Sequence, residues 1–200
     1  MRQDRTSKKV TRPEDCVLGF GIPTTREGFE LSRRLGPSGC FARMFGSRSQ
    51  YQEQVIEPAN RLGAHIRRLG ATVAHRLTLE GYSALFNNPT TQAVIIISHW
   101  GGDFIEFHDG LARVDAIVQA IPESFSGVID LCVCHPEKLI PPLRVSHMKS
   151  SIYFLSIDAA LQFWLYFYRD LFRLLRRGAH DYLGASTELA DAYLKRPQEA

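Results

Sequence analysis

Residues 94–98, VIIIS, run through consecutive β-branched side chains without a polar break. That pattern predicts a strand buried on both faces rather than a half-exposed one. Residues 128–134, VIDLCVC, and the segment SIYFLS from residue 151 are further mainly apolar runs that predict strands. CVLGFGIP at 16–23 predicts a first strand ended by glycine and proline, and 71–77 another. Helical periodicity fills the spaces between. Residues 51–69 place Val55, Ala59, Leu62, His65, Ile66 and Leu69 near one face, with Gly70 as the stop. Shorter helices are predicted at 25–35, 79–86 and 112–121, a long one at 159–177 and a last one at 186–193. The segment GPSGCFARMFGSRSQ, at 36–50, reads as a loop rich in glycine and serine.

Alternating helices and buried strands predict an α/β fold. Its mainly parallel sheet has helices on both faces, because parallel neighbours need crossover helices. At 200 residues the chain supports one such core. The expected organisation is a solvated tail over 1–15, which contains RQDRTSKK, and a single domain over 16–196.

Composition changes little in this picture. The chain is 44% hydrophobic and 22% charged, with a net charge of +3. These are ordinary globular values that give no nucleic-acid footprint. The most apolar stretch, 151–172, is interrupted by Asp158, Arg169 and Asp170, so a buried strand and a core helix are expected rather than a membrane span. No apolar run follows Met1, which points to a reducing, cytoplasmic compartment with Cys16, Cys40, Cys132 and Cys134 as thiols.

Two reactive side chains fall where open parallel sheets bind ligands, beyond the carboxyl ends of the strands. His99 follows the strand at 94–98, and Cys134 closes the strand at 128–134. On neighbouring strands they would share one edge. There an imidazole can take the thiol proton and later protonate a leaving amine. Gly101 and Gly102 would let main-chain N–H groups line an oxyanion hole. Within the same cluster, Cys132, Cys134 and His135 with His99 make a competing zinc set, although Cys-x-Cys is tighter than the usual spacing. Cys132 and Cys134 share a strand face, so periodicity does not choose between them. No metal and no organic cofactor is expected; GxGxxG, GxxxxGK[ST] and HExxH are all missing from the sequence.

The segment VIIISHWGGDFIEFHDGLARVDAIVQAIPESFSGVIDLCVC, residues 94–134, resembles the CHAT family of caspase-like clan CD cysteine peptidases. The shared features are a hydrophobic strand ending in His and Gly, a helix, and a strand ending in Cys. SIYFLSIDAALQFWLYFYRDLFRLLRRG continues the resemblance with a core strand, the acidic Asp158 and a helix ending in glycine. It implies a caspase-like three-layer sandwich. It also implies a thiol endopeptidase with His99 and Cys134 as its dyad, acting on a protein or peptide substrate. Asp130 and Asp158 would then meet a basic P1 side chain; for Asp158 a helix N-cap is the structural alternative. Two departures stand out. Trp100 separates His99 from Gly101, and HPEKLIPP follows Cys134 where the family carries small residues. They support the alternative of a catalytically inactive CHAT-like adaptor. Expected partners beyond substrate are a regulatory protein or a second copy of the chain, through the aromatic 163–172 segment or the stripe of Arg169, Arg173 and Arg176. No nucleic acid or membrane partner is expected. Asp103, Glu106, His108 and Asp109 read as a solvated loop near His99, from which one carboxylate would orient the ring.

Overall fold

The computed structural model describes residues 12–36, 40–100, 103–134, 136–155, 159–178 and 181–195. The tail expected over 1–15 lies outside the described residues as far as residue 11, and Pro13–Asp15 form a short 3-10 turn leading into the first strand. Five strands make one parallel sheet: β1 (Cys16–Phe20), β2 (Thr72–Ala74), β3 (Ala93–Ile97), β6 (Val128–Cys132) and β7 (Ser151–Tyr153), in the order β2-β1-β3-β6-β7. A two-stranded antiparallel ribbon, β4 (Phe104–Phe107) and β5 (Gly110–Arg113), follows β3. The order reverses between β1 and β3, the position at which doubly wound sheets leave a crevice beyond the strand ends.

Every residue of β1, β3 and β6 is buried. The pleat sorts their side chains into two cores. Cys16, Leu18, Phe20, Ala93, Ile95, Ile97, Val128 and Cys132 pack on one side. They meet Phe29 of α1 (Arg26–Leu35), Ala59, Leu62 and Ile66 of α3 (Glu57–Arg68), and the buried stripes of α7 (Leu161–Arg177) and α8 (Tyr182–Lys195). Val94, Ile96, Ile129, Leu131 and Val133 pack on the other side. Their partners are α4 (Leu79–Leu85), α5 (Val114–Gln119), α6 (Ile140–Ser146) and the ribbon. The expected class, a parallel sheet with helices on both faces, is the observed one.

Local chemistry explains most boundaries. Thr25 and Thr78 cap α1 and α4 by accepting from Gly28 N and Gly81 N. α7 stops at Gly178, whose φ of 68° is left-handed. The stretch expected to be a loop at 36–50 instead carries a 3-10 helix, Phe41–Met44, and α2 (Arg48–Tyr51). A π-turn at Gln52–Ile56 joins α2 to α3. Ser47 caps that long helix by accepting from Gln50 N.

One polar group is sealed into the first core. Asp130 of β6 is 1% exposed. Its oxygens accept from Tyr168 Oη of α7 at 3.0 Å and Tyr182 Oη of α8 at 2.5 Å. Burial pushes its carboxyl up to about 7, against the lowering effect of the two tyrosines. The groups facing it are Cys16 of β1, Cys132 of β6, Tyr153 of β7 and those tyrosines, all acids, whose own titrations burial raises.

A pH dependence follows. Between the ordinary carboxylate range and about pH 7 the folded chain keeps a proton that the unfolded chain releases, so stability falls as pH rises through this window and then levels off. The contribution is about 4 kcal/mol across it. Asp130→Asn, which can both accept from one tyrosine and donate to the other, should flatten that slope. Urea midpoints at pH 5 and pH 8 for both proteins check this; parallel pH profiles would exclude Asp130 as the source.

Candidate functional site

β3 and β6 pair in parallel register with Ile97 beside Cys132. Ser98 N donates to Cys132 O at 3.1 Å, carrying the pairing one residue further. His99 and Cys134 are thus each the second residue past its strand, on the same edge, in chains that run side by side about 4.8 Å apart. This juxtaposition is the core of the candidate site. Cys134 is exposed, while Cys16, Cys40 and Cys132 are buried. Cys132 points into the first core, where burial holds its thiol well above the ordinary range. The two cysteines that the sequence period left equivalent differ in exposure because Cys134 lies past the sheet's end.

The ring of His99 lies against Phe41, with centroids 5.4 Å apart and planes 41° apart. Phe41 continues into an aromatic group with Phe45 and Tyr51. Trp100 turns the other way. It is 6% exposed and its ring belongs to the second core. Its backbone bridges to Ile105 at the base of the ribbon. The residue separating His99 from the glycines is therefore taken up by the packing behind the sheet.

HPEKLIPP after Cys134 has its own order. Pro136–Lys138 form a 3-10 turn, and α6 starts with prolines in its first turn, where a missing N–H costs nothing. Leu139 and Leu143 are fully buried beneath it. Lys138 then reaches back. Its Nζ lies 3.3 Å from Asp103 Oδ1 and 5.5 Å from the centre of the Trp100 ring. The loops carrying His99 and Cys134 are thereby linked.

The polar stretch 103–109, expected to be a solvated loop, is the β4 side of the ribbon. Glu106 is buried at 3% exposure. Its carboxylate accepts from Phe41 N at 2.7 Å and Ser32 Oγ at 3.1 Å. Burial raises its carboxyl, with those two donors pulling the other way. Asp109 accepts from Leu79 N at 3.3 Å, and Asp103 is paired with Lys138. Gly21, just past β1, lies so close to Ser98 Oγ and Glu106 O that an added methyl would enter contact distance of both. Ser98 Oγ itself donates to Glu106 O.

Gly101, Gly102, Asp158 and His135 lie outside the described residues. Asp130, the other acid read as a partner for a basic P1 side chain, is the buried carboxylate beneath Tyr168 and Tyr182. Among the described residues no group of three His, Cys, Asp or Glu side chains is placed to hold a metal. No described helix is long and apolar enough to cross a membrane. The arginine stripe of α7 is engaged within the chain: Arg169 and Arg173 with Asp170, and Arg176 with Glu14. A groove of about 800 Å³ runs along α1 between Arg26, Arg34, Arg48, Arg76 and His108; neither His99 nor Cys134 lines it.

Two outcomes are expected. Iodoacetamide should alkylate Cys134 in the folded protein, with Cys16, Cys40 and Cys132 reacting only in denaturant; peptide mapping by mass spectrometry reads this, and rapid native labelling of Cys132 would contradict it. Gly21→Ala should destabilise the fold by about 1–3 kcal/mol through overpacking, measured by chemical denaturation; an unchanged midpoint would mean that the edge yields freely. Compared with known proteins, the chain matches no family model and no curated protein.

Proposed function

We propose that this chain is a cysteine endopeptidase of the caspase-like type, with His99 as base and Cys134 as nucleophile. The observation that supports this most is the register of β3 on β6. It brings the two strand ends together and leaves, of the four thiols, an exposed one beside the histidine's strand. In this reading His99 takes the Cys134 proton and the thiolate attacks a peptide carbonyl. The C=O pair moves onto oxygen, and main-chain N–H groups at Gly101 and Gly102 receive the oxyanion. His99 then gives its proton to the leaving amine as the C–N bond breaks, leaving a thioester. Water, deprotonated by His99, then attacks the thioester carbonyl; the C–S bond breaks, the carboxylic acid leaves, and the proton on His99 passes to the Cys134 sulfur. No metal or organic cofactor enters this sequence. With Asp130 enclosed by tyrosines, Asp158 is the remaining acid that the family resemblance offers to a basic P1 side chain.

A peptidyl acyloxymethyl ketone or an epoxide should label Cys134, and His99→Ala should slow that labelling by at least about a hundredfold, within the range of general acid–base contributions. Intact-mass measurement with peptide mapping follows it. Folded protein that takes no label, with Cys134→Ala still forming a stable protein complex, would favour the non-catalytic adaptor instead.

A further inference from the structure

Glu106 makes bonds with all of its polar groups, and they converge on the surroundings of His99. Its N–H donates to His99 O at 3.0 Å. Its carbonyl accepts from Ser98 Oγ, one residue earlier. Its carboxylate reaches the 32–41 segment, accepting from Phe41 N at 2.7 Å and from Ser32 Oγ of α1 at 3.1 Å. Phe41 returns the contact by laying its ring against the imidazole. The loop is closed: strand end, ribbon, carboxylate, 3-10 helix, aromatic ring, imidazole.

A carboxylate buried to 3% exposure with only neutral donors on it is a costly way to join two segments. The reason lies in what it holds. Phe41 opens the 3-10 helix Phe41–Met44, and none of that turn's own carbonyls can satisfy its N–H. The carboxyl acceptor gives that N–H a short, directional bond of 2.7 Å, so it sets where the ring sits. The ring in turn limits the rotation of His99 about its side-chain bonds, since it lies against the imidazole at 5.4 Å between centroids.

We infer that Glu106 and Phe41 are positioning residues for His99: Glu106 seats Phe41, and Phe41 holds the imidazole in the orientation from which it serves Cys134. The inference rests on the dyad reading above for its chemical meaning. The positioning itself is a property of the ring and can be read without any reaction.

The experiment uses the full chain with Phe41→Leu, Glu106→Gln and Phe41→Tyr, each checked for a cooperative melt by circular dichroism. Two readouts are taken: the pH profile of Cys134 alkylation by iodoacetamide, and the pH titration of the His99 ring resonances by NMR. Phe41→Leu and Glu106→Gln should each move and broaden the His99 ring resonances as the imidazole loses its fixed orientation. Each should also slow alkylation near neutral pH by about fivefold, the scale expected when a base loses its orientation. Phe41→Tyr, which restores a ring, should recover most of both. Should Glu106→Gln fail to fold, Phe41→Leu carries the test alone, since it leaves every bond of Glu106 in place. Resonances and profiles in folded Phe41→Leu that coincide with the wild type overturn the inference. If His99→Ala alkylates as fast as the wild type, the dyad reading fails, while the ring resonances still decide whether Phe41 and Glu106 hold the histidine.

Discussion

The parallel pairing of β3 with β6 is the constraint on which the rest of the molecule depends. Both strands are buried on both faces, so a slip of one residue would send each apolar side chain into the opposite core and expose Asp130 to a different set of neighbours. The register is therefore fixed by packing across the whole width of the sheet. Because it is fixed, the two loops that leave those strands begin from matched positions. What happens at the edge inherits its geometry from the interior.

Polar groups are distributed around that constraint in two different ways. Asp130 has only hydroxyl donors, and both of them belong to helices of one layer. It fastens α7 and α8 to the sheet while paying a desolvation cost that no cation offsets. Glu106 is buried as well, but its donors come from the segment facing the strand ends. The first carboxylate serves the layer and the second serves the edge. In both, burial without a cationic partner raises the carboxyl above its ordinary range, so hydroxyl and backbone donors rather than ion pairs hold them in place.

The central sheet was legible because its signal is redundant. VIIIS and VIDLCVC are apolar on both faces, and helices with clear periodicity separate them, so a parallel sheet was the consistent solution. The placement of His99 and Cys134 just past neighbouring strand ends was legible for the same reason, since those are the positions at which the apolar runs stop. The ribbon β4–β5 was not. FIEF and GLAR are four-residue strands among charged residues, and a segment this short carries too little alternation to separate it from a loop. Glu106 was missed as a buried group because its burial comes from α1 and the 41–44 turn, far away in sequence. The role of Cys40–Met44 was hidden likewise: glycine and serine on either side mask a turn whose order comes from a carboxylate sixty-five residues on. α6 was concealed by its prolines, which read as breakers but sit in the first turn of a helix.

The opposite fates of two adjacent residues have a consequence for how this protein can change. His99 contacts Phe41 on the side of the first core, and Trp100 is embedded in the second. Which of them lies against Phe41 is decided by how many residues separate it from the last paired position of β3, not by its chemical identity. A one-residue insertion in that short interval would carry the imidazole to the place of Trp100 behind the sheet, and a one-residue deletion would bring the indole to the place of His99 against Phe41. Point substitutions around His99 are graded in effect; changes of length there are all-or-none. The segment between Ile97 and Trp100 is for that reason a counted spacer, and its length is as much a part of the site as any side chain in it.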